Sequence, residues 1–160
     1  MNYGLKQLAL YVRDLLAYDE QLIRIGRESF VMEDFDTNYI VVDSIGPDNR
    51  ISRGNSYDGE LEVQTLTARL EAPCTINFYG NDAYTNATKF IVMMGSQLSQ
   101  DLQDSLGVTV FTVSSLTNIK ALNGQQYGNN IELQLNMQYN QTIELDVLRI
   151  DTEQFEITQQ

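Results

Sequence analysis

Between Ile131 and Val147 the chain alternates apolar and polar residues. Ile131, Leu133, Leu135, Met137 and Tyr139 are separated by Glu132, Gln134, Asn136 and Gln138, and Ile143, Leu145 and Val147 by Glu144 and Asp146. A period of two is the signature of strands with one buried and one solvated face. The pattern therefore commits the chain to a sheet that needs an apolar cover on one side only. Asn140-Gln141, between the two runs, reads as the turn of a β-hairpin.

Two helices can supply the cover. Leu5, Leu8, Ala9, Val12, Leu15 and Leu16 fall on one side of a helical wheel, away from Lys6, Gln7, Arg13 and Asp14. Asn81 or Asp82 is placed to cap a second helix whose Ala83, Ala87, Phe90, Ile91, Met94 and Leu98 share one arc. Asp101 to Leu106 adds a further helical turn, and Gly107 suits the left-handed position that ends helices.

The other strands are read from composition and breakers. Leu22 to Ile25, closed by Gly26, is a strand or a packed loop. Tyr39 to Ile45 is β-branched and aromatic and runs into the turn formers Gly46-Pro47-Asp48-Asn49. Residues 46–58 offer little to bury and are expected to form an exposed loop or hairpin arm. Tyr57 to Arg69 alternates as a long half-exposed strand, Pro73 is expected to interrupt it, and Cys74 to Gly80 reads as the next strand. Val108 to Val113 opens a strand-rich final third, and the tail 150–160, with Phe155 and Ile157 as anchors, extends a strand or reaches a neighbour. The expected architecture is a single α+β domain over residues 1–160: a mixed, mostly antiparallel sheet, two main helices packed on one face, and an extended hairpin or loop arm.

Charge and missing residue types narrow the chemistry. Ten Lys+Arg against twenty-two Asp+Glu give −12 at pH 7, which disfavours a protein that gains affinity by neutralising nucleic-acid phosphates. With no histidine and one cysteine, Cys74, the chain has no Ser-His-Asp or Cys-His machinery, no His-containing zinc site and no internal disulfide. The first residues carry Lys6 and Arg13 within the apolar stretch, unlike a secretory signal, and no apolar run approaches the roughly twenty residues that cross a bilayer. Synthesis in a reducing cytoplasm and no membrane partner are expected.

Candidate motifs fail on spacing. Asp34-Phe35-Asp36-Thr37-Asn38 starts like a calcium loop, yet Tyr39 stands where glycine is needed and Ile45 where a bidentate Glu is needed. Glu60/Glu62 and Asp101/Asp104 are spacings expected by chance in so acidic a chain, and neither phosphate-loop pattern occurs. Cys74 beside Ile76 and Phe78 reads as a small core hydrophobe. No catalytic, cofactor-binding or metal-binding residue is assigned.

The segment Ala72 to Tyr139 carries a resemblance. Thr75-Ile76-Asn77-Phe78-Tyr79-Gly80 leads into a helix with Ala83 and Ala87, then through Gly107-Val108 into a strand, Ser114 to Asn118, and Gln126-Tyr127-Gly128-Asn129-Asn130 opening the strand that ends at Tyr139. In order and motif this resembles phage neck or tail terminator (tail-completion) proteins with a neck-terminator-like domain, Asn130 standing where that family usually has a basic residue. The resemblance implies a virion protein that forms a ring, expected to be hexameric, capping the head-proximal end of the tail tube and joining it to the neck. Its partners would be further copies of itself, the tail tube protein and neck or head-closure proteins, with DNA passing through the lumen without specific binding. Arg50, Arg53, Asn55 and Tyr57 are then the candidate subunit-interface residues of the arm, the two arginines meeting acidic patches on adjacent subunits; the alternative for them is a solvated loop. Two other functions stay open at this point: a head-closure or tail-tube subunit, and a small carbohydrate-active or carbohydrate-binding domain built on carboxylates and tyrosines.

Overall fold

The computed structural model describes residues 3–26, 37–123 and 126–147. The tail beyond Val147 and residues 34–36 of the calcium-like segment lie outside the described residues. In chain order the elements are α1 (Tyr3–Leu16), a 3-10 turn (Glu20–Leu22), β1 (Ile23–Ile25), β2 (Tyr39–Ser44), β3 (Asn49–Asp58), β4 (Val63–Tyr79), α2 (Ala83–Met94), α3 (Gln97–Leu106), β5 (Val108–Thr112), β6 (Thr117–Asn123) and β7 (Gln126–Asp146). The strands form one seven-stranded sheet in which β1 runs parallel to β2 and every other pairing is antiparallel, so the fold is α+β. Among the described residues no helix is long and apolar enough to cross a membrane.

The sheet is organised around β4 and β7, paired from Val63↔Asp146 to Tyr79↔Asn130. Asn140-Gln141 is not a turn: β7 runs through it unbroken. The parity of the pattern explains this. A two-residue turn there would set Met137 opposite Glu144 and Leu135 opposite Asp146, mixing core and solvent faces, whereas a continuous strand keeps all the apolar residues on one face.

Pro73 does not interrupt β4 either. On one side β4 pairs with β2 through residues 74–79 and with β3 through residues 63–71, and Pro73 falls in the gap between the two partners. Its carbonyl accepts the Ile45 N–H at 2.9 Å on that side. The N–H that proline lacks would have pointed the same way, to the place where β4 passes from one ladder to the other, so neither ladder is interrupted. The expected turn at Gly46 to Asn49 joins β2 to β3, but the long strand starts at Val63 and not at Tyr57, which is still on β3, with a turn over Gly59 to Glu62 between them.

One face of the sheet carries the core. Ala72, Cys74, Ile76 and Phe78 of β4 and Ile131 to Tyr139 of β7, at alternate positions, pack with Ile40 and Val42 against Leu5, Leu8, Val12 and Leu15 of α1 and Ala83, Ala87 and Phe90 of α2. Tyr11 of α1 joins them, its ring edge-on to Phe90 at 6.1 Å between centroids. Its hydroxyl meets Ser99 at 2.7 Å, Gln103 Nε2 donates to Ser99 Oγ at 3.1 Å, and Gln103 Oε1 accepts the Val110 N–H at 2.7 Å, which ties α1, α3 and β5 together.

The second predicted helix is two helices. α2 stops at Gly95, and Ser96 starts α3 by accepting the Ser99 N–H at 3.3 Å. Because the axis changes there, Leu98 leaves the buried arc, and Ile91 is exposed as well. Gly107 does end α3 in the left-handed conformation, at φ 65°. Gly80, at φ 99°, makes the turn from β4 into α2, where an added Cβ would sit 2.7 Å from the Thr37 carbonyl.

Candidate functional site

The helices cover only part of the sheet. β3, residues 63–71 of β4 and residues 140–146 of β7 continue beyond them as a three-stranded ribbon, with β3 exposed throughout. This is the arm expected at residues 46–58, built from three strands rather than one hairpin.

Its register sorts the side chains. On the face that continues the core face, the rungs are Arg50–Leu70–Tyr139, Arg53–Ala68–Gln141, Asn55–Leu66–Ile143 and Tyr57–Gln64–Leu145. The four candidate residues Arg50, Arg53, Asn55 and Tyr57 thus share one face. For the two arginines this depends on a β-bulge between Arg50 and Ser52. Three residues apart in a regular strand they would point to opposite faces; the extra residue, Ile51, brings them to the same side. Arg50, Arg53, Asn55, Leu66, Gln141 and Ile143 line an open groove of about 420 Å³.

None of the residues on these four rungs is acidic. On the opposite face of the ribbon stand Asp58, Glu71, Glu144 and Asp146, and further along the sheet Asp43 and Glu132. Glu71 there accepts from Asn136 at 3.0 Å and from Gln138 at 2.8 Å. Among the described residues the salt bridges are those of Arg13 with Asp14 and Glu20, so Arg50 and Arg53 take part in none.

On the core face, the root of the arm is held by a further polar contact. Tyr139, the last core residue of β7, donates its hydroxyl to Asp48 Oδ2 at 2.5 Å, in the turn between β2 and β3, and packs against Tyr3 at 5.7 Å. Burial first, then the Asp48 hydrogen bond and charge, push its phenol well above its ordinary range. Nearby Cys74 is fully buried, and burial, with the Asp48 and Asp43 charges behind it, pushes its thiol up to about 12, as befits a core residue rather than a nucleophile. Asn130 is buried, and its side-chain oxygen has no hydrogen-bond partner among the described residues.

Sequence reasoning missed the partners of the arm residues: Leu66, Ala68, Gln141, Ile143 and Leu145. The signal for the β7 residues was present, since Ile143 and Leu145 keep the odd-number parity of Ile131 to Tyr139.

An α+β domain that carries guanidinium and apolar groups on a projecting sheet has the construction of a structural subunit working through its surfaces. Residues 6–160 match the phage neck terminator protein family, and the chain belongs to that family. It is therefore a structural component of the virion at the neck, associated with other neck and tail proteins. No curated protein matches the chain.

Proposed function

We propose that copies of this chain close into a ring, expected to be a hexamer, that caps the head-proximal end of the tail tube and joins it to the head-tail connector. The chain is made in the host cytoplasm and contacts the tail tube protein on one side and head-closure proteins on the other. The observation that carries this reading is the arm: a ribbon that extends past its own helices and presents a carboxylate-free face in a chain of net charge −12. Arg50, Arg53, Asn55 and Tyr57 on that face are its subunit-interface residues. Support for a DNA-conducting lumen comes from the sheet face turned away from the helices, where Asp43, Glu71, Glu132, Glu144 and Asp146 outnumber Arg24 and Arg69 and would repel phosphates rather than bind them.

The test is the native mass of the purified chain by light scattering, with negative-stain images, alone and with tail tubes. A species of about six subunits, or a ring on tube ends, is the expected result. A monomer that fails to bind tubes overturns the reading.

A further inference from the structure

We infer that the ring contact is made between two different surfaces of the chain: the carboxylate-free face of the arm of one copy and the outer side of α2 and α3 of the next. This rests on the ring reading above and adds which surfaces meet.

The arm face is incomplete as it stands. Its apolar centre, Leu66 with Ile143 and Leu145, is uncovered, Ile143 being 52% and Leu145 44% exposed. Arg50 and Arg53 flank that centre without a salt bridge among the described residues. A face of this kind fits a surface with apolar residues in the middle and carboxylates at the side.

The helices offer such a surface. α2 buries Ala83, Ala87 and Phe90, and one helical step around it exposes Tyr84, Ile91 and Val92, with Tyr84 67% and Val92 71% exposed. Tyr84, Ile91 and Val92 form a stripe with Thr88 between them, so α2 is largely apolar on a side that the described residues do not cover. Leu98, near the start of α3, is a further exposed apolar residue on these helices, and Asp101 stands exposed one turn later, accepting from Gln97 at 2.9 Å. Apolar centre can thus meet apolar centre while Arg50 and Arg53 meet Asp101.

Charge also selects the mode of assembly. Two arm faces set against each other would give Arg50 and Arg53 no carboxylate to meet, since none stands on that face, which disfavours a twofold contact between arms. A contact between unlike patches is heterologous and repeats from copy to copy until it closes.

The experiment uses Ile143→Asp on the arm and Val92→Asp on α2. Both sites are exposed, and far-UV circular dichroism and thermal melts check that both variants fold. Native mass is measured for each variant alone and for an equal mixture. Each alone should lose the ring, with self-association weakened about tenfold or more. The mixture should give dimers that grow no further, because one good arm face then meets one good helix face. Within one chain, Arg53→Glu should weaken assembly and Asp101→Arg should restore it.

Rings formed by wild type and by both variants alike would overturn the two surfaces while leaving the ring intact. A variant mixture that stays monomeric beside a wild-type ring would overturn the heterologous contact. Loss of the ring on removing residues 148–160, with both point variants unaffected, would make that tail the occupant of the arm face and overturn the proposal. A wild-type chain that neither forms rings nor binds tubes would remove the ring reading itself, and this inference with it.

Discussion

The same two strands behave differently in two halves of the molecule. From residue 72 onward β4 alternates buried and half-buried residues, and its partner β7 alternates buried with half-buried or exposed ones from Ile131 to Tyr139; from residues 63 to 71, and 140 to 146 on β7, neither strand has a fully buried side chain. The backbone pairing is continuous across the boundary, so what changes is the cover, not the ladder. Hydrogen-bonded pairing fixes shape throughout, while burial under α1 and α2 supplies stability to one half only.

The sharpest way to break this contrast is a cavity in the covered half. Phe78→Ala, at a site without solvent exposure, should cost about 3–5 kcal/mol in urea denaturation, whereas the same truncation at exposed Tyr57 should stay within about 0.5 kcal/mol. Equal losses at the two sites would mean the arm shares the core's cooperativity.

Tyr139→Phe tests the boundary itself. It removes the bond to Asp48, and about 1.5–3 kcal/mol is expected from a hydrogen bond to a carboxylate. Hydrogen exchange should quicken in β3 more than in β2. The same residue sets a pH dependence. Its folded phenol ionises later than the unfolded one, so the unfolded chain binds fewer protons above the ordinary value of 10.0 and stability falls as pH rises past it. Stability curves taken between neutral and strongly alkaline pH should fall less steeply in Tyr139→Phe.

Ser96→Ala, which removes the cap of α3, should cost about 1 kcal/mol and leave the arm's exchange unchanged. The smallest effect on folding is expected at Ile143→Asp, within about 0.5 kcal/mol by thermal melts, although the same substitution should have the largest effect on assembly.

The sequence showed the covered half well. The stripes of α1 and α2, the Gly107 stop, the Tyr39 strand and the Ile131 to Tyr139 alternation were all legible because burial imposes a period on them. The arm was legible as exposed, and its four candidate residues were named, but its construction was not. Pro73 and Asn140-Gln141 look like breaks by local preference, and only the pairing pattern shows that one falls in a gap and the other in a solvated stretch. The bulge at Ile51, which places Arg50 and Arg53 together, follows from register against β4 and leaves no mark in composition. Tyr11 was also missed, since its hydroxyl needs Ser99, eighty-eight residues away, to be at home in the core.

Because β4 and β7 pass from the covered half into the arm without a loop, the arm is a strut and not a tether. A tethered segment must give up its freedom when it docks, and that entropy is subtracted from the contact. Here the strands are already ordered by folding. A touch at the tip would bend a continuous ribbon anchored beneath two helices, so the angle at which one subunit offers itself to another is set when the chain folds.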